Sequence, residues 1–169
     1  LKSVIMEEGV TDTGAYTFCN CAALATITVP STLTTVGTWA MGYCKKLKEF
    51  YLPEGVKSLG DASFYYCNVI NNINMPDTVT YMGTHCFRGC WALKNIRLSE
   101  SLTAITYRAF HNCAFTEIDI PAGVTTIGIE PFWYCQKLTS INIPANVKSI
   151  GNQAFYNCTA LKSVVMYDK

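Results

Sequence analysis

The sequence predicts an α/β-type repeat solenoid, predominantly β, built as one domain over residues 1–169. Three observations predict it. An apolar anchor recurs every 22 or 23 residues, an alternating apolar run follows each anchor, and a cysteine column keeps the same phase. Repetition at this period means that each repeat is one supersecondary unit, unable to bury its apolar side alone.

The anchors are Leu1, Leu24, Leu47, Ile70, Leu93, Phe115, Leu138 and Leu161, separated by 23, 23, 23, 23, 22, 23 and 23 residues. They open seven units and a partial eighth that begins at Leu161. Next comes an I-x-I run, as in Ile27-Thr28-Val29 and Ile141-Asn142-Ile143. Alternation of this kind is the mark of a short strand with one buried face. Proline then ends the strand in most units (Pro30, Pro53, Pro76, Pro121, Pro144), since it cannot donate to a ladder. A second extended piece, V-x-x-I-G, closes at Gly14, Gly37, Gly60, Gly83, Gly128 and Gly151. Glycine best tolerates positive φ, so a left-handed turn is expected there. Last comes A-F-x-x-C, with apolar residues at i, i+1 and i+4, the spacing of a short 3₁₀ or α turn facing inward.

Stretches such as Leu138-Thr-Ser-Ile-Asn-Ile-Pro144 and Val147-Lys-Ser-Ile-Gly-Asn-Gln-Ala-Phe-Tyr-Asn-Cys158 closely resemble the BspA-like leucine-rich repeats of bacterial and protozoan surface proteins. The resemblance covers essentially the whole chain. It implies a curved right-handed leucine-rich-repeat solenoid with a parallel sheet on its concave side and short turns on the other. It also implies adhesion or protein binding, at a cell surface or as a secreted module. The fifth unit departs from the pattern: it loses one residue between Cys113 and Phe115, carries Thr106 for glycine and Ser99 for proline, and so predicts a local irregularity in curvature. Neither end shows a polar capping segment, which leads to the expectation of a fragment from a longer array.

Composition narrows the function. Thirteen basic and 12 acidic residues give a formal net charge of +1, without the concentrated positive field that nucleic acid or an anionic membrane rewards. No apolar run exceeds five residues, so membrane insertion is not expected. Seven of the nine cysteines fall in one column (Cys21, Cys44, Cys67, Cys90, Cys113, Cys135, Cys158), one per unit. Their parallel side chains read as a packed ladder of buried thiols, because buried free cysteine behaves as a small hydrophobe. Without C-x-x-C pairs there is no pattern for a zinc site. Cys86 sits in the small-residue column and reads as core. Cys19 is placed towards solvent, as a reactive thiol or a surface accident.

Catalysis is not expected. His85 and His111 lie in different units and variable positions, with no partner arrangement to make a nucleophile. Glu117 and Asp119 share one face of a strand, about 6–7 Å apart, a separation glycoside hydrolysis could use. A flat open sheet, however, has no pocket to raise one carboxyl or exclude water. Neither cofactor nor metal is implied.

Recognition is expected on the concave face, where Tyr51, Asn72, Asn74, Asn95, Arg97, Glu117 and Asp119 form a mixed polar ridge. Two readings of that ridge stand: a surface for hydrogen-bonded recognition of protein or glycan, or a merely solvated sheet face with stacked asparagines. An aromatic flank carrying Trp39, Tyr65 and Trp133 is a second candidate, either a glycan platform or rings packed over the core. The leading expectation is a non-catalytic scaffold that engages a host or matrix protein. A structural spacer and a glycan-binding module are the alternatives.

Overall fold

The computed structural model describes residues 1–166; the last three residues of the expected eighth unit lie outside the described residues. Each unit makes one turn of a predominantly β, parallel solenoid with three faces. On the first face the I-x-I runs form β1 (Ser3–Ile5), β2 (Thr26–Thr28), β5 (Asn72–Asn74), β7 (Asn95–Arg97), β10 (Ser140–Ile143) and β12 (Ser163–Met166). On the second, the V-x-x-I pieces form β3 (Thr35–Val36), β4 (Ser58–Leu59), β6 (Tyr81–Met82), β8 (Ala104–Ile105), β9 (Thr126–Ile127) and β11 (Ser149–Ile150). All pairing is parallel and joins equivalent residues of successive units, such as Ile73 with Ile96 and Leu59 with Met82. In β2 and β5 the central Ile27 and Ile73 are buried while their neighbours face solvent, as alternation requires.

The columns of the sequence become stacks in the core. Phe64, Phe87, Phe110, Phe132 and Phe155 lie nearly parallel, with centroid spacings of 5.2, 5.8, 5.8 and 5.5 Å. The anchors Leu24, Leu47, Ile70, Leu93, Phe115 and Leu138 are fully buried beside them. Where proline is replaced the chain still turns alike. Leu102 N donates to Ser99 O at 3.2 Å, as Val79 N does to Pro76 O at 3.0 Å.

Two local expectations are corrected. The A-F-x-x-C segment is neither an α nor a 3₁₀ turn. Two residues per unit lie in the left-handed region, for example Trp39 (φ 56°) with Tyr43 (φ 61°) and Ala62 (φ 52°) with Tyr66 (φ 53°). A helix cannot contain such residues at this interval. Their peptide groups bond across the stack instead: Trp39 N to Asp61 O at 2.8 Å, Met41 N to Ser63 O at 2.8 Å, and Tyr43 N to Tyr65 O at 2.7 Å. An N–H committed to the next unit is not free to bond four residues back along its own chain. The same three-rung pattern recurs at every boundary from the first unit to the seventh and makes the third, or turn, face.

The glycine column is the second correction. Gly37, Gly60, Gly83, Gly128 and Gly151 do not have positive φ; only Gly14 in that column does. They are glycine because adjacent backbones touch there. A Cβ on Gly60 would meet Thr38 N at 2.5 Å and the Gly37 carbonyl carbon at 2.7 Å, and one on Gly83 would collide with the backbone of Gly60 and Asp61.

The fifth unit interrupts the pairing of both strand faces. On the second face β8 pairs with β9 but not with β6, and the Thr106 hydroxyl donates to Gly83 O at 2.8 Å. On the first face no strand pairing joins β7 to the sixth unit among the described residues.

Candidate binding face

The seven residues singled out for recognition all project from the first face and are exposed. Register brings four of them together, with Asn72 opposite Asn95 and Asn74 opposite Arg97. Tyr51, 73% exposed, stands one rung before them and donates its hydroxyl to Glu49 at 2.8 Å. Glu117 and Asp119 stand one rung after. Arg97 is less free than its column suggests. It makes a bidentate pair with Asp77 (2.9 and 2.8 Å) and also donates to Met75 O at 2.6 Å. Hydrogen bonds from Arg97, then from the Glu100 backbone, hold the Asp77 carboxyl below its ordinary range. Among the described residues Glu117 and Asp119 have no side-chain hydrogen bond or ion pair.

The face is not the flat sheet expected of it. Its pairing is interrupted twice, between the second and third units and between the fifth and sixth. A hollow lies at each interruption. One of about 760 Å³ is lined by Ile27, Val29, Leu52 and Pro53, with Thr26, Thr28, Lys48, Glu49 and Tyr51 around them. The other, about 510 Å³, is lined by Lys94, Arg97, Glu117 and Asp119 together with Asn72, Asn74 and Asn95. A smaller hollow of about 270 Å³ shares Tyr51 with the first and Asn72 and Asn74 with the second. Together they make one trough from the second to the sixth unit. Sequence reasoning missed the apolar end.

The aromatic flank behaves as a covering layer. Trp39, Tyr65 and Trp133 are half-buried, and each packs against neighbouring rings along the turn face. Trp39 lies 4.6 Å from Tyr65, and Trp133 lies 4.5 Å from Tyr156. Cations are threaded among the rings, with Arg88 over Tyr65 at 5.6 Å and Arg108 over Tyr107 at 4.9 Å. Arg108 also pairs with Glu130. His85 and His111 sit in this layer, His85 edge-on to Tyr107 at 4.9 Å and His111 stacked on Trp133 at 6.0 Å. Burial, then the positive charges of Arg88 and Arg108, lower both imidazoles, that of His111 to about 4. Trp91, half exposed and edge-on to Tyr66 at 5.7 Å, belongs to the same layer but falls outside the repeat columns that drew attention to the others.

The cysteines are free thiols and do more than fill space. From Cys44 onward each ladder thiol donates to a carbonyl of the preceding unit, as Cys67 does to Met41 O (3.1 Å) and Cys90 to Phe64 O (3.2 Å). Burial pushes these thiols up, Cys44 to about 12 and Cys158 to about 11, which keeps the donated proton in place. Cys86 meets Ser63 Oγ at 3.2 Å inside the core. Cys19 is half-buried, and desolvation followed by the neighbouring Cys21 raises it, the opposite of an activated thiolate.

Comparison with known proteins agrees with this architecture. The family described as BspA type leucine rich repeat region matches residues 1–113 and 59–169, in six copies. No curated protein matches the chain. Among solved structures, a leucine-rich cell surface protein from Faecalibacterium prausnitzii is 26% identical with a TM-score of 0.72 over 100% of this chain. A leucine-rich repeat protein of T. pallidum (23%, TM-score 0.67, 96% of this chain and 68% of that one) shares the fold. So does the pneumococcal vaccine antigen PcpA (16%, TM-score 0.69, 97% of this chain and 60% of that one). The chain spans 60% of the length of the F. prausnitzii protein.

Proposed function

The chain belongs to the BspA-type leucine-rich-repeat family, and from that premise we propose that it is a non-catalytic binding scaffold for a protein ligand. In this reading it is a single repeat domain, part of a longer array, displayed at a cell surface or secreted. The ligand, a host or matrix protein, lies in the trough of the first face against Tyr51, Asn72, Asn74, Asn95, Arg97, Glu117 and Asp119. Adhesion is the role such a module would serve.

One observation carries the reading. The exposed columns depart from bland threonine and serine in the third to sixth units, and the hollows of the first face extend along those units from the boundary with the second. A spacer needs neither feature. The F. prausnitzii relative, named a cell surface protein, supports the setting.

The test is capture of the chain on an array of extracellular-matrix proteins and glycans. Beside it runs a variant with Tyr51, Asn74, Arg97 and Asp119 changed to serine. Saturable capture by a protein, lost in the variant, is the expected result. Capture that survives the four changes would move the site to the aromatic flank of Trp39, Tyr65 and Trp133, with glycan the class to examine. An empty array would favour the spacer.

A further inference from the structure

Resting on the reading of the first face as a protein-binding trough, we infer that the trough has two unlike seats and takes an extended polypeptide. One seat holds an apolar side chain and the other a basic one, about four residues apart in the ligand. The seats are the two places where strand pairing fails. At the boundary of the second and third units, Ile27, Val29, Leu52 and Pro53 line the hollow, while Lys48 and Glu49 cancel at its edge. That lining rewards burial of an aliphatic or aromatic group.

At the boundary of the fifth and sixth units the balance is different. Lys94 and Arg97 stand against Glu117 and Asp119, and Asp77 already holds Arg97 by two hydrogen bonds. Counting those five side chains, two positive and three negative, leaves the seat with a net charge of −1. Its two carboxylates without a partner among the described residues, Glu117 and Asp119, can receive a guanidinium or ammonium group. An acidic ligand group would meet them as a like charge.

Spacing and width choose the occupant's form. The seats are three units apart, about 14 Å at the ~4.8 Å separation of neighbouring strands, which an extended chain covers in about four residues. The floor is a three-residue strand, about 10 Å wide. An α-helix of ~10–12 Å diameter overfills it, whereas an extended chain fits.

The probes are fluorescein-labelled twelve-residue peptides of glycine, serine and threonine that carry one Phe and one Arg. Arginine stands four positions from phenylalanine in either order; controls place it two positions away or replace it with glutamate. Anisotropy titration should give the four-spaced Arg peptides an affinity about tenfold above their Glu counterparts, shrinking with salt. In the double variant Glu117→Gln, Asp119→Asn, the Arg advantage should vanish while a Phe-only peptide binds as before. Thermal melts of the variant, with both changes on exposed side chains, should match the parent. Equal binding of Arg and Glu peptides, or of two- and four-residue spacings, overturns the inference. So does failure of every peptide. If matrix-protein capture still depends on the first face in that case, the binding role stands and only the two-seat ligand is lost.

Discussion

The turn face and the first face are made from the same repeats, yet they are bonded differently. On the turn face, three backbone N–H groups cross every boundary from the first unit to the seventh. On the first face, pairing lapses at two boundaries and shrinks to single bridges at Glu49 and Asp119. Cooperativity in a solenoid comes from nearest-neighbour stacking, so the face with unbroken bonds carries the scaffold. The other face is free to vary its side chains and to open hollows. Variation at Tyr51 or Asp119 touches no stack, whereas variation at Phe87 or Gly83 touches two neighbours at once.

Four expectations break or sharpen that contrast. The largest effect belongs to the phenylalanine stack. Phe87→Ala should lower unfolding stability by about 3–5 kcal/mol in denaturant titration, because Phe87 is fully buried between Phe64 and Phe110. A loss under 1 kcal/mol would mean that the stack does not hold the units together.

Next come the glycines of the close approach. Gly83→Ala should cost about 1–3 kcal/mol or more, since the new methyl meets backbone that cannot step aside. Gly128→Ala should cost less, because Thr106 in the fifth unit leaves a looser boundary with nearest atoms at 3.0 Å. Equal costs would show that the boundary of the fifth and sixth units is as tight as that of the third and fourth.

A smaller effect is set by pH. The unfolded imidazole of His111 takes its proton near 6.5, the folded one only near 4. As pH falls from about 6.5 towards 4, the unfolded state binds the proton first and stability drains away; above 6.5 the contribution is fully present. His85 shifts in the same direction. Both rings are partly exposed and solvent screening weakens the effect, so the melting temperature should fall by only a few degrees over that range. His111→Phe should flatten the slope. An unchanged slope would place the acid sensitivity elsewhere.

The smallest change is expected for the exposed side chains of the binding face. Tyr51→Ser and Asn74→Ser should each alter stability by no more than ~0.5 kcal/mol, as surface substitutions away from packing do.

Much of this was legible in the sequence, for reasons that also mark where it stopped. Column spacing placed the strands and their register, because burial alternates with period two and repeats with the unit. Tyr51, Asn72, Asn74, Asn95, Arg97, Glu117 and Asp119 were placed on one exposed face by that rule alone. The turn conformation was not legible. Spacing at i, i+1 and i+4 fits a helix and also fits two left-handed residues such as Trp39 and Tyr43, whose backbones bond to the next unit. The role of Gly60 and Gly83 is steric and not conformational, and nothing in one strand's sequence reports how close the next backbone comes. Arg97 and Asp77 are 20 residues apart and fall in different columns, so their pairing was invisible to a reading made column by column. The hollows were missed for a related reason: they arise from lost pairing between units, not from any residue pattern within one.

Hydrogen exchange resolved by segment tests the division between the faces most directly. Residues 39–43 and 108–112 of the turn face should exchange at least ~10-fold more slowly than residues 48–52 and 116–120 of the first face, where the ladder is open. Equal protection of the two sets would contradict the account, because it would mean a first face as firmly bonded as the turn face, with no seats in it for a ligand.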